Sequence, residues 1–271
     1  MNQNIIEEYK LRLANSVSNY VEIIKKEYDD CIPEERLRFL NSIKDFKNVV
    51  RFEETNTIAL FVKNGEIYFP LSAFRILDNM KAQEGFGSNK DHKPYSDENI
   101  ILNDNTFFDY IQYVFLAGLT PLDYYEEVVL HESLHLCGAR GGTALEEGFT
   151  ELKTRELAKK YKLKTSGCAY PKEVAIAYEL QQIIGDELSD SIVFAINYKE
   201  LLDFIKNCGG EKMLELYSTV FQIMEDEFSK YLSVDLSGDD AHIKRAKSYE
   251  KIDYSKAHEV INNYSKTKNI K

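Results

Sequence analysis

Hydrophobic side chains near the start of the chain recur at intervals of three and four residues. Ile5, Val17 and Ile24 belong to a set that follows this spacing across 5–30, and the spacing is the period of one face of an α-helix. The pattern predicts an amphipathic helix over 5–30. Pro33 suits the first turn of a helix, so we predict a second helix over the sequence PEERLRFLNSIKDF.

A different pattern begins near residue 57. The sequence TIALFVKNGEIYFPLSAF holds two runs of β-forming residues on either side of Asn64-Gly65. An Asn-Gly pair suits a two-residue turn in which both residues have positive φ. We therefore predict a β-hairpin, followed by a long polar loop over 81–99 and a short strand in NIIL, residues 99–102.

The rest of the chain has helical periodicity. The sequence FFDYIQYVFLAG predicts a helix that ends at Gly118, and almost every segment from residue 120 onward is helical in pattern. No internal repeat interrupts it. These patterns predict an α+β fold that is predominantly helical, with a small mixed or antiparallel sheet.

The charge and the termini narrow the range of partners. The formal net charge of the 271 residues is −11, with 45 acidic against 34 basic residues, which argues against a nucleic-acid partner. No apolar run approaches the roughly 18 residues that a membrane span requires, so we expect no membrane insertion. The first residues, MNQNIIEEYK, do not resemble a signal peptide. We expect a cytoplasmic protein, with export without a signal peptide as the alternative.

The segment His131-Glu132-Ser133-Leu134-His135 is an HExxH motif. Histidines four residues apart lie on one face of a helix, so both imidazoles can bind one metal ion. We predict a helix over 121–137, since Thr120 and Pro121 suit its start and Gly138 suits the position after its end. The alternative is a surface helix with an exposed histidine pair, but the apolar neighbours of the motif argue against full exposure.

A catalytic zinc ion needs a third protein ligand and an open position, and the sequence TALEEGFTEL offers three glutamates. Thr143 and Glu146 match a capping box, in which the glutamate turns back toward the helix start. That leaves Glu147 as the predicted ligand and Glu151, one turn later, as the carboxylate that orients a ligand histidine. The alternative is a solvated acidic face in which Glu151 pairs with Arg155.

Glu132 follows the first histidine directly and is the predicted catalytic residue. A carboxylate beside the metal can take a proton from the attacking water and later give it to the leaving amine. Zinc is the predicted cofactor, because it lowers the pKa of a bound water and polarises a carbonyl.

These motifs resemble the zincin metallopeptidases, and among them the gluzincins, whose third ligand is a glutamate on a following helix. VVLHESLHLC fits the uncharged surroundings of HExxH in that family, and EEGFTE is similar to the NEGFAE type of glutamate helix. By position the resemblance implies Glu147 as ligand, and Glu151 matches the carboxylate that the thermolysin-like branch carries one turn later. The resemblance covers residues 120–157. Two features differ: the spacing from His135 to Glu147 is shorter, and Gly141 stands where metzincins have a third histidine.

The resemblance also implies a downstream side chain that stabilises the oxyanion, for which the sequence offers His242, Tyr170 and Tyr178. For His242 an ordinary surface position is the alternative. The same resemblance implies that the hairpin carries an edge strand that pairs with an extended peptide.

Together these observations predict a zincin-like zinc metallopeptidase that acts on a peptide or protein substrate. Residues 1–50 form a helical segment, 51–160 the catalytic core and 161–271 a helical C-terminal subdomain, within one continuous structural unit. The alternative function is a catalytically inactive zincin-like or helical protein-binding module, associated with a toxin or a phage. The oligomeric state is not predicted.

Overall fold

The structure is a computed structural model, and it describes residues 3–54, 59–72, 100–102, 120–233, 244 and 247–268. Its described part is an α+β fold, predominantly helical, with a small mixed sheet. The predicted loop over 81–99 and the predicted helix that ends at Gly118 lie outside the described residues.

The elements follow one another as a helical start, a sheet and a helical remainder. The helices are α1 (Gln3–Tyr28), α2 (Glu34–Ser42), α3 (Pro121–Leu136), α4 (Ala144–Tyr161), α5 (Pro171–Ile184), α6 (Asp186–Phe194), α7 (Tyr198–Leu232) and α8 (Ser255–Lys268). The strands are β1 (Val50–Glu53), β2 (Phe61–Lys63) and β3 (Glu66–Pro70). None of the described helices is long and apolar enough to cross a bilayer.

The contacts divide the chain into two compact units, and the division falls within α4. The first unit comprises residues 1–139 together with 153–169. Within it α1 packs against α3 and the sheet. The predicted face is buried from Leu13 onward, since Leu13, Val17, Val21 and Ile24 have no exposed surface, whereas Ile5 is 40% exposed.

The predicted hairpin is confirmed, and it belongs to a three-stranded sheet of order β1-β3-β2. β2 runs antiparallel to β3 and pairs Lys63 with Glu66, while Asn64 and Gly65 have φ of 54° and 78°. β1 pairs parallel with β3, a contact that local patterning does not specify. The sheet also fixes the helix that follows it in the described chain, because the Tyr125 hydroxyl of α3 donates to the Pro70 carbonyl at the end of β3.

Two predicted elements differ from the structure. α2 ends at Ser42, because Ile43 is extended and the Asp45 side chain accepts from the Lys47 N–H to start a separate 3₁₀ turn, a side-chain bond that competes with the helix. The strand predicted over 99–102 is wrong for its described residues, since 100–102 form a bend and a turn. The carbonyls of Ile100 and Ile101 accept from the Arg155 guanidinium instead of a neighbouring strand.

The second unit comprises residues 140–152 and 170–271. Within it Glu173, a fully buried carboxylate on α5, accepts hydrogen bonds from the hydroxyls of Tyr249 and Tyr254. α4 approaches the same residue very closely: a Cβ added at Gly148 would lie 2.6 Å from the Glu173 carbonyl oxygen. The hydrogen bonds that Glu173 accepts join the segment before α8 to α5. The close approach at Gly148 joins α4 to α5.

Candidate metal centre

The HExxH motif lies on α3, whose start agrees with the prediction. The Asp123 N–H donates to the Thr120 hydroxyl at 3.3 Å, and the Asp123 carboxylate accepts from the Thr120 N–H at 2.8 Å. This is a complete capping box with Pro121 at the first helical position. The cap fixes where the helix begins and therefore which side chains share its buried face.

The end of α3 reverses the chain toward the second histidine. Gly138 has φ of 106°; its N–H donates to the His135 carbonyl and the Ala139 N–H donates to the Leu134 carbonyl. This pair of bonds is the Schellman motif that a glycine after a helix permits. Because the chain turns back here, the Ala139 carbonyl lies 3.0 Å from His135 Nδ1.

That contact assigns the proton on the second histidine. A carbonyl only accepts, so Nδ1 of His135 carries the hydrogen and Nε2 of the neutral ring keeps its lone pair. Nε2 of His135 lies 3.0 Å from Nε2 of His131, and the two rings meet edge to face. His131 is buried and His135 half-buried, so this is not the exposed histidine pair of the surface-helix alternative.

Glu147 lies with these two histidines. One ligand atom from each of His131, His135 and Glu147 falls within 4.8 Å of the others, and the described residues hold this group as a candidate metal site. Two imidazole nitrogens and one carboxylate oxygen are a donor set that zinc prefers, with an open fourth position in catalytic sites. In their chemistry and proximity the three residues fit a zinc ion.

The first turn of α4 presents Glu147 in a manner that the sequence predicted only in part. The Glu146 N–H donates to the Thr143 hydroxyl at 3.3 Å, so Thr143 is the predicted N-cap. The Glu146 carboxylate, however, accepts from the Arg140 Nε at 2.5 Å, because a buried carboxylate requires a charged partner. It is Glu147 that reaches back toward the helix start: its Oε1 accepts from the Gly142 N–H at 2.7 Å.

The alternative of a solvated acidic face on α4 is wrong. Glu146 is 4% exposed and Glu151 1%, while Glu147 is half-buried. Arg155 has no exposed surface, and its guanidinium donates to the carbonyls of Ile101 at 3.1 Å and Ala169 at 2.8 Å. The carbonyl of Ala139 is the group seen to orient His135, so a part for Glu151 in orienting a ligand stays a prediction.

Glu132 is half-buried on α3, next to the first histidine. Its negative charge reaches Tyr124, two turns earlier on the same helix. The pKa of the Tyr124 hydroxyl lies well above its ordinary value, first because the side chain is buried and then because of Tyr125 and the charge of Glu132. Tyr124 therefore stays protonated and neutral.

The three residues predicted for oxyanion stabilisation lie in different parts of the chain. His242 lies outside the described residues. Tyr170 is the N-cap of α5 with φ of 48°, and its ring centroid lies 6.4 Å from that of Phe228. Tyr178 lies half-buried on α5. Their role in catalysis stays a prediction.

Sequence reasoning missed three groups around the candidate ligands. The Ala139 carbonyl could have been found, because a glycine after a helix end predicts the chain reversal that places it. Arg140 is visible only as a basic residue near three acids. Glu225 accepts from the Ala144 N–H at 2.6 Å across 81 residues of sequence, and no local signal points to it.

Comparison with known proteins gives this chain no relatives: no family model matches it, and neither a curated protein nor a solved structure is significantly similar to it.

Proposed function

We propose that this chain is a zinc-dependent metallopeptidase that hydrolyses peptide bonds with Glu132 as general base. The observation that carries the proposal is the convergence of His131, His135 and Glu147 within 4.8 Å, with Glu132 next to the first of them in the sequence. The resemblance of the HExxH and EEGFTE segments to gluzincins supports the same reaction class.

The chain's own residues divide the work. His131, His135 and Glu147 hold zinc, which supplies polarisation of the scissile carbonyl and acidifies water. The Ala139 carbonyl keeps the lone pair of His135 Nε2 directed at the site, and the Gly142 N–H holds one oxygen of Glu147. Glu132 takes the proton of the attacking water and delivers it to the leaving amine, so it ends the cycle in its starting state.

The substrate is a peptide or protein chain. β2 lies at the edge of the described sheet, where an extended segment can add main-chain hydrogen bonds. We propose no residue as an anchor for a free amino terminus, so the proposal covers internal and terminal cleavage alike.

The test joins metal analysis to a peptide-library assay. We expect about one zinc per chain, and we expect chelator to abolish cleavage. Glu132→Gln should keep the metal but lose roughly 10²- to 10⁴-fold in rate, the range for a general acid–base group. Glu127→Gln, the same change on the same helix, is the matched control and should remain active.

Two results would contradict the proposal. Full activity of Glu132→Gln would remove the assigned base. A wild-type chain that binds zinc but cleaves no peptide would favour the protein-binding module instead.

A further inference from the structure

We propose that Glu225 on α7 is a positioning residue for the metal ligand Glu147, acting through the first N–H group of α4. This inference rests on the metal centre of the proposed function. It concerns how the chain holds that centre, which neither the motif nor the resemblance addresses.

The first N–H groups of a helix have no partner within the helix and need acceptors from elsewhere. At the start of α4 the Ala144 N–H donates to Glu225 Oε1 at 2.6 Å, and the Glu146 N–H donates to the Thr143 hydroxyl at 3.3 Å. Thr143 is a local cap, whereas Glu225 comes from a distant helix. Glu225 therefore ties the start of α4 to α7.

A second attachment holds the other end of the connecting segment. The Arg140 N–H donates to the Val193 carbonyl near the end of α6 at 2.8 Å, and the Arg140 carbonyl accepts from the Thr150 hydroxyl at 2.8 Å. The Arg140 guanidinium bonds Glu146 and reaches the Ala195 carbonyl at 3.4 Å. Arg140 is thus held from both α6 and α4.

The group that orients the ligand lies between these two attachments. Gly142 is two residues after Arg140 and two before Ala144, and its N–H holds Oε1 of Glu147 at 2.7 Å. Gly142 has φ of 95°. Because a glycine backbone is conformationally permissive, the orientation of this N–H group must be held by contacts elsewhere. Fixing Ala144 on one side and Arg140 on the other limits where the Gly142 N–H can point.

The charge of Glu225 suits this task. Its carboxylate faces the positive end of the α4 dipole, and it is half-buried, where a charge-assisted hydrogen bond is stronger than in water. Burial, followed by the charges of Glu146 and Asp226, raises the pKa of Glu225, while the hydrogen bond from the Ala144 N–H opposes that shift. A glutamine at 225 would keep an acceptor oxygen but lose the charge.

The experiment measures zinc affinity, by competition with a chromophoric chelator, in the full chain and its variants. Glu225→Ala removes the acceptor and should weaken zinc binding about tenfold, the lower end for residues that support metal ligands. Glu225→Gln should weaken it about two- to fivefold, as expected for loss of a charge at a helix N-terminus.

Asp253→Ala is the matched control. Asp253 also accepts from a backbone N–H at a helix start, that of Ser255 at 2.9 Å, but this helix is α8. Its removal should leave zinc affinity unchanged. Thermal unfolding without metal then reports any loss of stability separately from the loss of affinity.

A spectroscopic readout separates positioning from general stability. The d–d absorption of the cobalt-substituted, saturated protein depends on ligand geometry, so Glu225→Ala should change it and Asp253→Ala should not. If Glu225→Ala does not fold, the affinity and spectrum of Glu225→Gln decide the question by the same criteria.

The possible results are distinct. A Glu225→Ala variant with wild-type zinc affinity and cobalt spectrum would overturn this inference and leave the proposed metal centre standing. Equal weakening by Asp253→Ala would also overturn it. A wild-type chain that binds no zinc would overturn the proposed function and this inference together.

Discussion

The two helices that carry the candidate metal ligands are held by different kinds of interaction. At the end of α3, His135 is oriented by the carbonyl of Ala139, four residues away, and the turn between them is closed by bonds of similar span. At the start of α4, Glu147 depends on a segment anchored by Glu225 and Val193, from helices much later in the sequence. One half of the site is specified locally and the other by tertiary structure.

The difference teaches where the site is vulnerable. A local turn re-forms whenever its helix forms, since its contacts cost little chain entropy. The α4 half requires α6 and α7 to be in place, and it includes the buried carboxylate of Glu146, whose separation from Arg140 leaves an uncompensated charge. We therefore expect substitutions on the α4 side to have the larger effects.

The largest effect should follow Arg140→Met, which leaves the Glu146 carboxylate buried without its partner. Breaking a buried pair in this way costs roughly 3–5 kcal/mol in the free energy of unfolding, measured by urea denaturation. Arg38→Met is the control, because Arg38 and Glu34 form an exposed pair at 3.9 Å and such pairs contribute at most about 1 kcal/mol. Equal losses in the two variants would show that the α4 side has no special dependence on its ion pair.

A smaller effect is expected on the α3 side from Gly138→Ala. Its φ of 106° makes a Cβ cost about 1–2 kcal/mol, and the strain should displace the Ala139 carbonyl from His135. Gly185→Ala provides the comparison, with φ of 85° and open space around its Cβ. Both variants should lose stability in urea, Gly138→Ala with an added close contact to the Arg36 side chain, but zinc affinity should fall only for Gly138→Ala. An unchanged zinc affinity in Gly138→Ala would show that the turn does not orient His135 for metal binding.

The smallest effect is a difference in pH response between the two helix starts. Burial alone would raise the pKa of Asp123, but the hydrogen bonds from Thr120 lower it below its ordinary value. The stabilisation that ionised Asp123 contributes is therefore present above the pKa of the unfolded state, and it is lost as the pH falls through the pKa of the folded state. Burial, followed by the charges of Glu146 and Asp226, raises the pKa of Glu225. The stabilisation that protonated Glu225 contributes is present at low pH, and it is lost as the pH rises through the pKa of the folded state.

Urea unfolding across the pH range of carboxyl titration checks both signs. The stability difference between the wild type and Asp123→Asn should grow as the pH rises. The difference between the wild type and Glu225→Gln should shrink over the same range. If both stability differences changed with pH in the same direction, the opposite pKa shifts of Asp123 and Glu225 would be contradicted.

The same division between local and distant contacts explains what the sequence could predict. The bounds of α3 followed from Thr120, Pro121 and Gly138, and the hairpin from Asn64-Gly65, because each of these signals acts on the backbone within a few residues. Thr143 was likewise identified as the cap of α4.

The features that escaped prediction depend on distant partners. Glu146 had a local explanation in the capping box, but the half-buried Arg140 drew its carboxylate away. The parallel pairing of β1 with β3 and the bond from Ala144 to Glu225 likewise join segments that no periodicity relates. A single sequence shows which residue types are present, but it does not show which distant residues contact one another.

Gly148 has a consequence for how such chains diverge. The lack of a side chain there is required by the Glu173 carbonyl, 2.6 Å from where a Cβ would lie, and not by zinc. Selection for packing would therefore retain this glycine in a descendant that had lost the proposed hydrolysis. In a descendant sequence, the acid at position 147, rather than the glycine beside it, would indicate whether the proposed metal centre survives.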